Sequence, residues 1–71
     1  MKWKYTKNNE IPEPYTMCFC DMQDHYDVLC WESNQTYSRW CLNTPDNEFY
    51  YELTDVIRFV YIEELEKSLG D

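Results

Sequence analysis

The sequence predicts an α+β domain: a small antiparallel β-meander of three to five strands with a short C-terminal α-helix. Three features lead there. Short runs rich in aromatic and β-branched residues recur between clusters of Asn, Asp, Pro and Ser. Helical spacing of apolar residues is clearest near the C-terminus, at Ile62, Leu65 and Leu69. A chain of 71 residues with 44% hydrophobic and 18% aromatic content is too apolar for a disordered acidic tail, yet it has room for only one small core. A single domain over residues 1–71 is expected, since no repeat, low-complexity tract or Gly/Ser linker divides the chain.

Trp3-Lys4-Tyr5-Thr6 alternates aromatic with polar residues, as a short edge strand does, and Lys7-Asn8-Asn9 with the extended Ile11-Pro12-Glu13-Pro14 segment ends it. Tyr15 to Asp21 and His25 to Trp31 form two strands around a tight hairpin at Met22-Gln23-Asp24. Ser33-Asn34-Gln35-Thr36 has turn chemistry, and Tyr37 to Leu42 makes a third strand before the Asn43 to Asn47 loop. Glu48 to Glu52 is a short aromatic patch. Asp55 to Tyr61, dominated by β-branched and aromatic residues, is expected as a strand; the alternative is one helix running from a Thr54 or Asp55 cap to Leu69. The terminal helix is well marked: Ile62, Leu65 and Leu69 share a face, Glu63 and Glu64 lie in the first turn, Lys67 in the last, and Gly70 follows.

Six Lys and Arg face 14 Asp and Glu, a formal net charge of −8. Because Lys2, Lys4 and Lys7 supply half of the cations, positions 8–71 hold three basic against 14 acidic residues, a net of −11. This balance argues against direct binding of nucleic acid, whose affinity comes mostly from Lys and Arg on phosphates, and toward a basic partner. No apolar stretch follows the N-terminal lysines as a secretory signal requires, and no run nears the roughly 20 apolar residues of a membrane span. A soluble protein of the cytoplasm is therefore expected, where thiols stay reduced.

Cys18, Cys20, Cys30 and Cys41 match the ligand count of a structural zinc site, and one zinc ion would supply folding energy that a chain this small lacks. With Met22-Gln23-Asp24 as the turn, Cys18 faces Val28, Cys20 faces Tyr26, and all four thiols fall on one face of the sheet. Against zinc, Cys20 and Cys30 would stand about 13 Å apart along a flat strand direction at 3.3 Å per residue. The spacing also lacks paired CxxC knuckles. The alternative is that the thiols pack as small hydrophobes; His25 is a possible substitute ligand if they do not.

No catalytic constellation is present. His25, the only histidine, sits beside Asp24 and Asp27 in a turn, as a solvated hairpin residue does, and Gly70, the only glycine, cannot make a phosphate loop. The acids instead form patches: Asp21, Asp24, Asp27 and Glu32 at the first hairpin; Asp46, Glu48, Glu52 and Asp55 around the second loop; Glu63, Glu64, Glu66 and Asp71 along the terminal helix. Such a surface keeps a small protein in solution, or presents phosphate-like charge to a basic groove. Trp3, Tyr5, Phe19, Trp31, Trp40 and Phe59 are expected in the core, whereas Phe49 and Tyr50 are candidate interface anchors.

Trp3, Glu10-Ile11-Pro12-Glu13, Tyr26-Asp27-Val28, Trp40 and Val56 to Leu65 together resemble small phage and prophage proteins of a domain family of unknown function. Phe59, where that family usually has Trp, and the four cysteines depart from its pattern. Size, acidity and the absence of catalytic residues are also similar to anti-CRISPR proteins. That resemblance implies stoichiometric inhibition, with Asp21, Asp24, Asp27, Glu32, Phe49, Tyr50, Glu63 and Glu64 as contacts to a basic nucleic-acid-binding protein such as a CRISPR effector nuclease. A zinc-stapled structural or adaptor module of a phage particle is the alternative.

Overall fold

The structure, a computed structural model, describes residues 2–70, so Asp71 of the helix patch lies outside the described residues. Six strands, β1 (Lys4–Tyr5), β2 (Thr16–Asp21), β3 (Tyr26–Ser33), β4 (Ser38–Asn43), β5 (Glu48–Tyr51) and β6 (Arg58–Tyr61), form one antiparallel sheet before the helix α1 (Ile62–Gly70). This is the α+β meander read from the sequence, with one strand more than its upper bound. The sheet order is β1-β6-β2-β3-β4-β5. The strands β2 to β5 are a continuous meander; the chain then crosses back and lays β6 between β1 and β2.

The stretch expected as a strand over 55–61 divides. A short 3-10 turn, Leu53–Asp55, is closed by the Glu52 N–H donating to the Asp55 carboxylate at 2.8 Å, and the strand begins only at Arg58. The turn lets the chain change direction without leaving the sheet, since Val56 is fully buried while the Ile57 N–H donates to the Asp21 carbonyl at 2.8 Å. Helix begins at Ile62, so the alternative of one long helix from residue 54 or 55 does not hold.

The first hairpin corrects the expected register. Its loop has two residues, Gln23 and Asp24, with the Met22 N–H donating to the His25 carbonyl at 2.9 Å and Gln23 at a φ of 77°. A two-residue loop pairs Cys18 with Leu29 and Cys20 with Asp27, where a three-residue turn would have paired them with Val28 and Tyr26. Side chains alternate with period two, so this slip of one residue sends Cys30 to the face opposite Cys18 and Cys20. Cys41, the direct partner of Cys30, goes with it.

One face is covered. Cys18, Cys20, Leu29, Trp31, Trp40 and Phe59 lie on it and are at most 3% exposed, with Met22 and Val56 packed among them. Trp31 and Trp40 are direct cross-strand partners whose rings meet edge to face at 5.1 Å, and Phe59 meets Trp40 at 5.7 Å. Burying each of these large side chains contributes about 1.5–3 kcal/mol. The crossover segment serves as a lid: the Trp40 Nε1–H donates to the Leu53 carbonyl, and Thr6 Oγ1 donates to the Val56 carbonyl at 2.6 Å. α1 rests against β6 and β2.

The other face stays open to solvent. Met17, Tyr26, Val28 and Tyr50 all lie on it and are between 39% and 53% exposed. Trp3 and Phe19, expected in the core, are half-buried here with their rings 6.1 Å apart. Tyr5, half-buried, joins them through its pairing with Arg58.

Candidate functional site

Alternation of hairpins in a meander places every second loop at the same end of the sheet. The β2–β3 loop with Asp24 and the β4–β5 loop with Asp46 therefore share one end, two strand spacings or about 10 Å apart. Asp27, the second residue of β3, and Glu48, the first residue of β5, lie at that same end. Asp24, Asp46 and Glu48 are exposed and Asp27 is half-buried. Two patches that are separate along the sequence thus form one acidic rim.

The rim is built from well-tied loops. Thr44 Oγ1 donates to the Asn47 carbonyl at 2.8 Å and accepts from the Asn47 N–H at 3.0 Å, fixing the turn that carries Asp46. The Asp24 carboxylate meets His25 Nδ1 at 2.6 Å, and this hydrogen bond holds the Asp24 carboxyl below the usual carboxylate range. Asp27 Oδ1 accepts from the Val28 N–H at 2.9 Å. The Tyr50 hydroxyl donates to Glu48, which raises the Tyr50 phenol.

Of the other expected contact residues, Asp21 lies at that end too but is paired with Arg58, Phe49 and Tyr50 follow Glu48 on β5, and Glu32, Glu63 and Glu64 lie elsewhere. Asp21 faces the open side of the sheet and accepts from Arg58 Nε at 3.0 Å; Glu32, toward the opposite end of β3, accepts from Arg39 Nε at 3.2 Å. Each pair is formed by direct cross-strand partners. Glu63 and Glu64 follow β6, which starts beside Asp21 and runs away from the acidic rim, so they belong to a separate surface. Phe49 and Tyr50 lie on the edge strand β5 and are 46% and 44% exposed.

Sequence reasoning missed the arrangement of the two arginines. The Arg39 guanidinium lies between the Tyr37 and Tyr50 rings, at 3.8 and 3.7 Å from their centroids, and Arg58 lies 4.2 Å from the Trp3 centroid. Burial alone would lower the Arg39 pKa, but the Glu32 hydrogen bond and neighbouring Tyr37, Tyr50 and Glu32 raise it; Arg58 is raised chiefly by its bond to Asp21. Only the i, i+2 spacing of Tyr37 and Arg39 in a strand signalled that both share a face.

The structure does not gather the four thiols at one point. Cys18 and Cys20 lie on the covered face, Cys30 and Cys41 on the open one, and the sheet backbone separates the pairs. His25 sits at the acidic rim and does not complete either pair: among the described residues, no three His, Cys, Asp or Glu side chains come together as metal ligands would. Burial pushes the Cys18 thiol up to about 12 and raises Cys20 as well, so both stay protonated and act as apolar filling.

Among the described residues no helix is long and apolar enough to cross a membrane. Comparison with known proteins gives no match to a family model, a curated protein or a solved structure.

Proposed function

We propose that this protein is a non-enzymatic inhibitor that binds a basic, nucleic-acid-binding surface of another protein. The single observation that carries this is the acidic rim: Asp24, Asp27, Asp46 and Glu48 meet at one end of the sheet. Meanwhile the cations beyond residue 7 are all engaged, Arg39 with Glu32, Arg58 with Asp21 and Lys67 with Glu63. Among the described residues none of these carboxylates is paired with a Lys or Arg, so the rim presents negative charge of the kind such a surface is built to bind, and it accelerates encounter. The exposed Phe49 and Tyr50 beside the rim supply apolar anchors of the kind that dominate interface energetics. The class of target is a nucleic-acid-processing protein such as a CRISPR effector nuclease, with DNA loading blocked by occupancy of its groove.

The test is capture from host lysate on immobilised protein at about 0.15 M salt, where the Debye length is near 8 Å. A nucleic-acid-binding protein is expected to be retained and then released as salt rises. Asp24→Lys combined with Asp46→Lys should lower its recovery at least tenfold, and Glu63→Lys with Glu64→Lys should leave it within about twofold. Recovery of no nucleic-acid-binding protein would overturn the proposal; equal loss from both double variants would replace docking at the rim by a general field effect.

A further inference from the structure

Cys30 and Cys41 are direct partners across β3 and β4, both free and both on the open face. Along the same row of the sheet, Met17 lies beyond Cys30 and Tyr50 beyond Cys41. The hairpin closes with the Asn34 N–H donating to the Tyr37 carbonyl at 2.9 Å. Counting back from that bonded pair, alternation makes Trp31 and Trp40 a non-hydrogen-bonded pair and Cys30 and Cys41 a hydrogen-bonded one. The Cα atoms of such a pair stand about 5.5 Å apart, within the roughly 4.4–6.8 Å that a disulfide spans.

The two thiols differ in access. Cys30 is half-buried and reachable from solvent, while Cys41 is only 7% exposed. Cys18 and Cys20, both fully buried, are sealed under the lid of the covered face. The four cysteines are thus two pairs of different chemical character.

We propose that Cys30 and Cys41 form a reactive dithiol site that undergoes exchange with small disulfides such as oxidised glutathione, closing a reversible cross-strand disulfide on the open face. In the first step the Cys30 sulfur, having released its proton, attacks one sulfur of the small disulfide. That S–S bond breaks, its electron pair leaves with the second sulfur, and the departing thiolate takes up a proton. In the second step the Cys41 sulfur attacks Cys30 in the mixed disulfide; the Cys30–Cys41 bond forms, and the other half of the small disulfide leaves as a thiol carrying the proton from Cys41. Two protein thiols are oxidised, and one small disulfide is reduced to two thiols. Cys41 needs no access of its own, because the sulfur it attacks belongs to the residue beside it. Burial, assisted by Glu32, raises both thiols, so exchange is slow at neutral pH and faster in alkali.

The folded protein is incubated with excess oxidised glutathione near pH 8, alkylated, and mapped by peptide mass spectrometry. The expected result is loss of two of the four titratable thiols and a Cys30–Cys41 linked peptide, with Cys18 and Cys20 alkylated only after denaturation. In the Cys41→Ser variant the reaction should stop at a stable glutathione adduct on Cys30. As a measure that needs no variant, phenylarsine oxide, which requires two neighbouring thiols, should block the same pair at one per chain. Four free thiols after prolonged incubation, a Cys18–Cys20 link, or disulfide-linked dimers in place of the internal bond would each overturn the proposal.

Discussion

Cys18 and Cys20 are the residues on which burial acts most directly. Both are fully buried beside Leu29 and Phe59, and burial raises their thiols well above the ordinary value of 9.0. A raised folded-state pKa means that the folded chain holds a proton the unfolded chain has lost. The stability these thiols contribute is therefore complete below about pH 9 and declines as pH rises through the interval toward the folded value. Urea unfolding between pH 8 and 11 should show a midpoint that falls above pH 9, each thiol adding a slope approaching about 1.4 kcal/mol per pH unit. Cys18→Ala and Cys20→Ala should each flatten that slope by one thiol's share. An unchanged slope in both variants would show that these thiols ionise as freely in the fold as outside it.

At the scale of elements, β6 and α1 show how unequally neighbouring segments contribute. β6 is paired on both sides and places Phe59, with no exposed surface, against Trp40 and Tyr61, whereas Leu69 in the last turn of α1 is 81% exposed. Phe59→Ala is expected to cost about 3–5 kcal/mol, and Leu69→Ala less than about 0.5 kcal/mol, measured by denaturant midpoints at constant m. Comparable losses from both would mean that the end of the helix is packed as firmly as the strand. The strands themselves were legible, because runs such as the Phe, Val and Tyr of Arg58–Tyr61 and the Trp, Cys and Leu of Ser38–Asn43 sit between turn residues. The face each side chain occupies was not. It depends on whether Met22-Gln23-Asp24-His25 turns on two residues or three, and nothing local favours a glutamine at positive φ; pairing with β6 and burial of Leu29 decide it. The ion pairs of Arg39 and Arg58 were hidden for the same reason, since each joins strands whose register only the folded sheet defines.

The whole molecule carries its net charge of −8 asymmetrically, with Asp24, Asp27, Asp46 and Glu48 at one end and Glu63, Glu64 and Glu66 on the helix. Like charges held at such distances oppose compaction, and salt relieves them. Raising NaCl from 0.01 to 0.3 M should stabilise the protein by on the order of 1 kcal/mol, as expected for a few surface pairs about 10 Å apart. A midpoint that falls with salt would assign greater weight to the cross-strand ion pairs than to the repulsion. The acidic rim was half visible beforehand: composition named the residues, and the hairpin alternation that unites Asp24 with Asp46 emerges only from the topology.

The insertion of β6 between β1 and β2 also governs how the chain is assembled in time. Within β2 to β5 each strand pairs with its sequence neighbour, but β1 and the second edge of β2 have no partner until β6 arrives. Until Leu53 to Tyr61 takes its place, the meander leaves Cys18, Cys20 and Trp40 uncovered. The N-terminal strand, first to be made, is among the last to find its place, and the final strand acts as the clasp that closes both the sheet and its core.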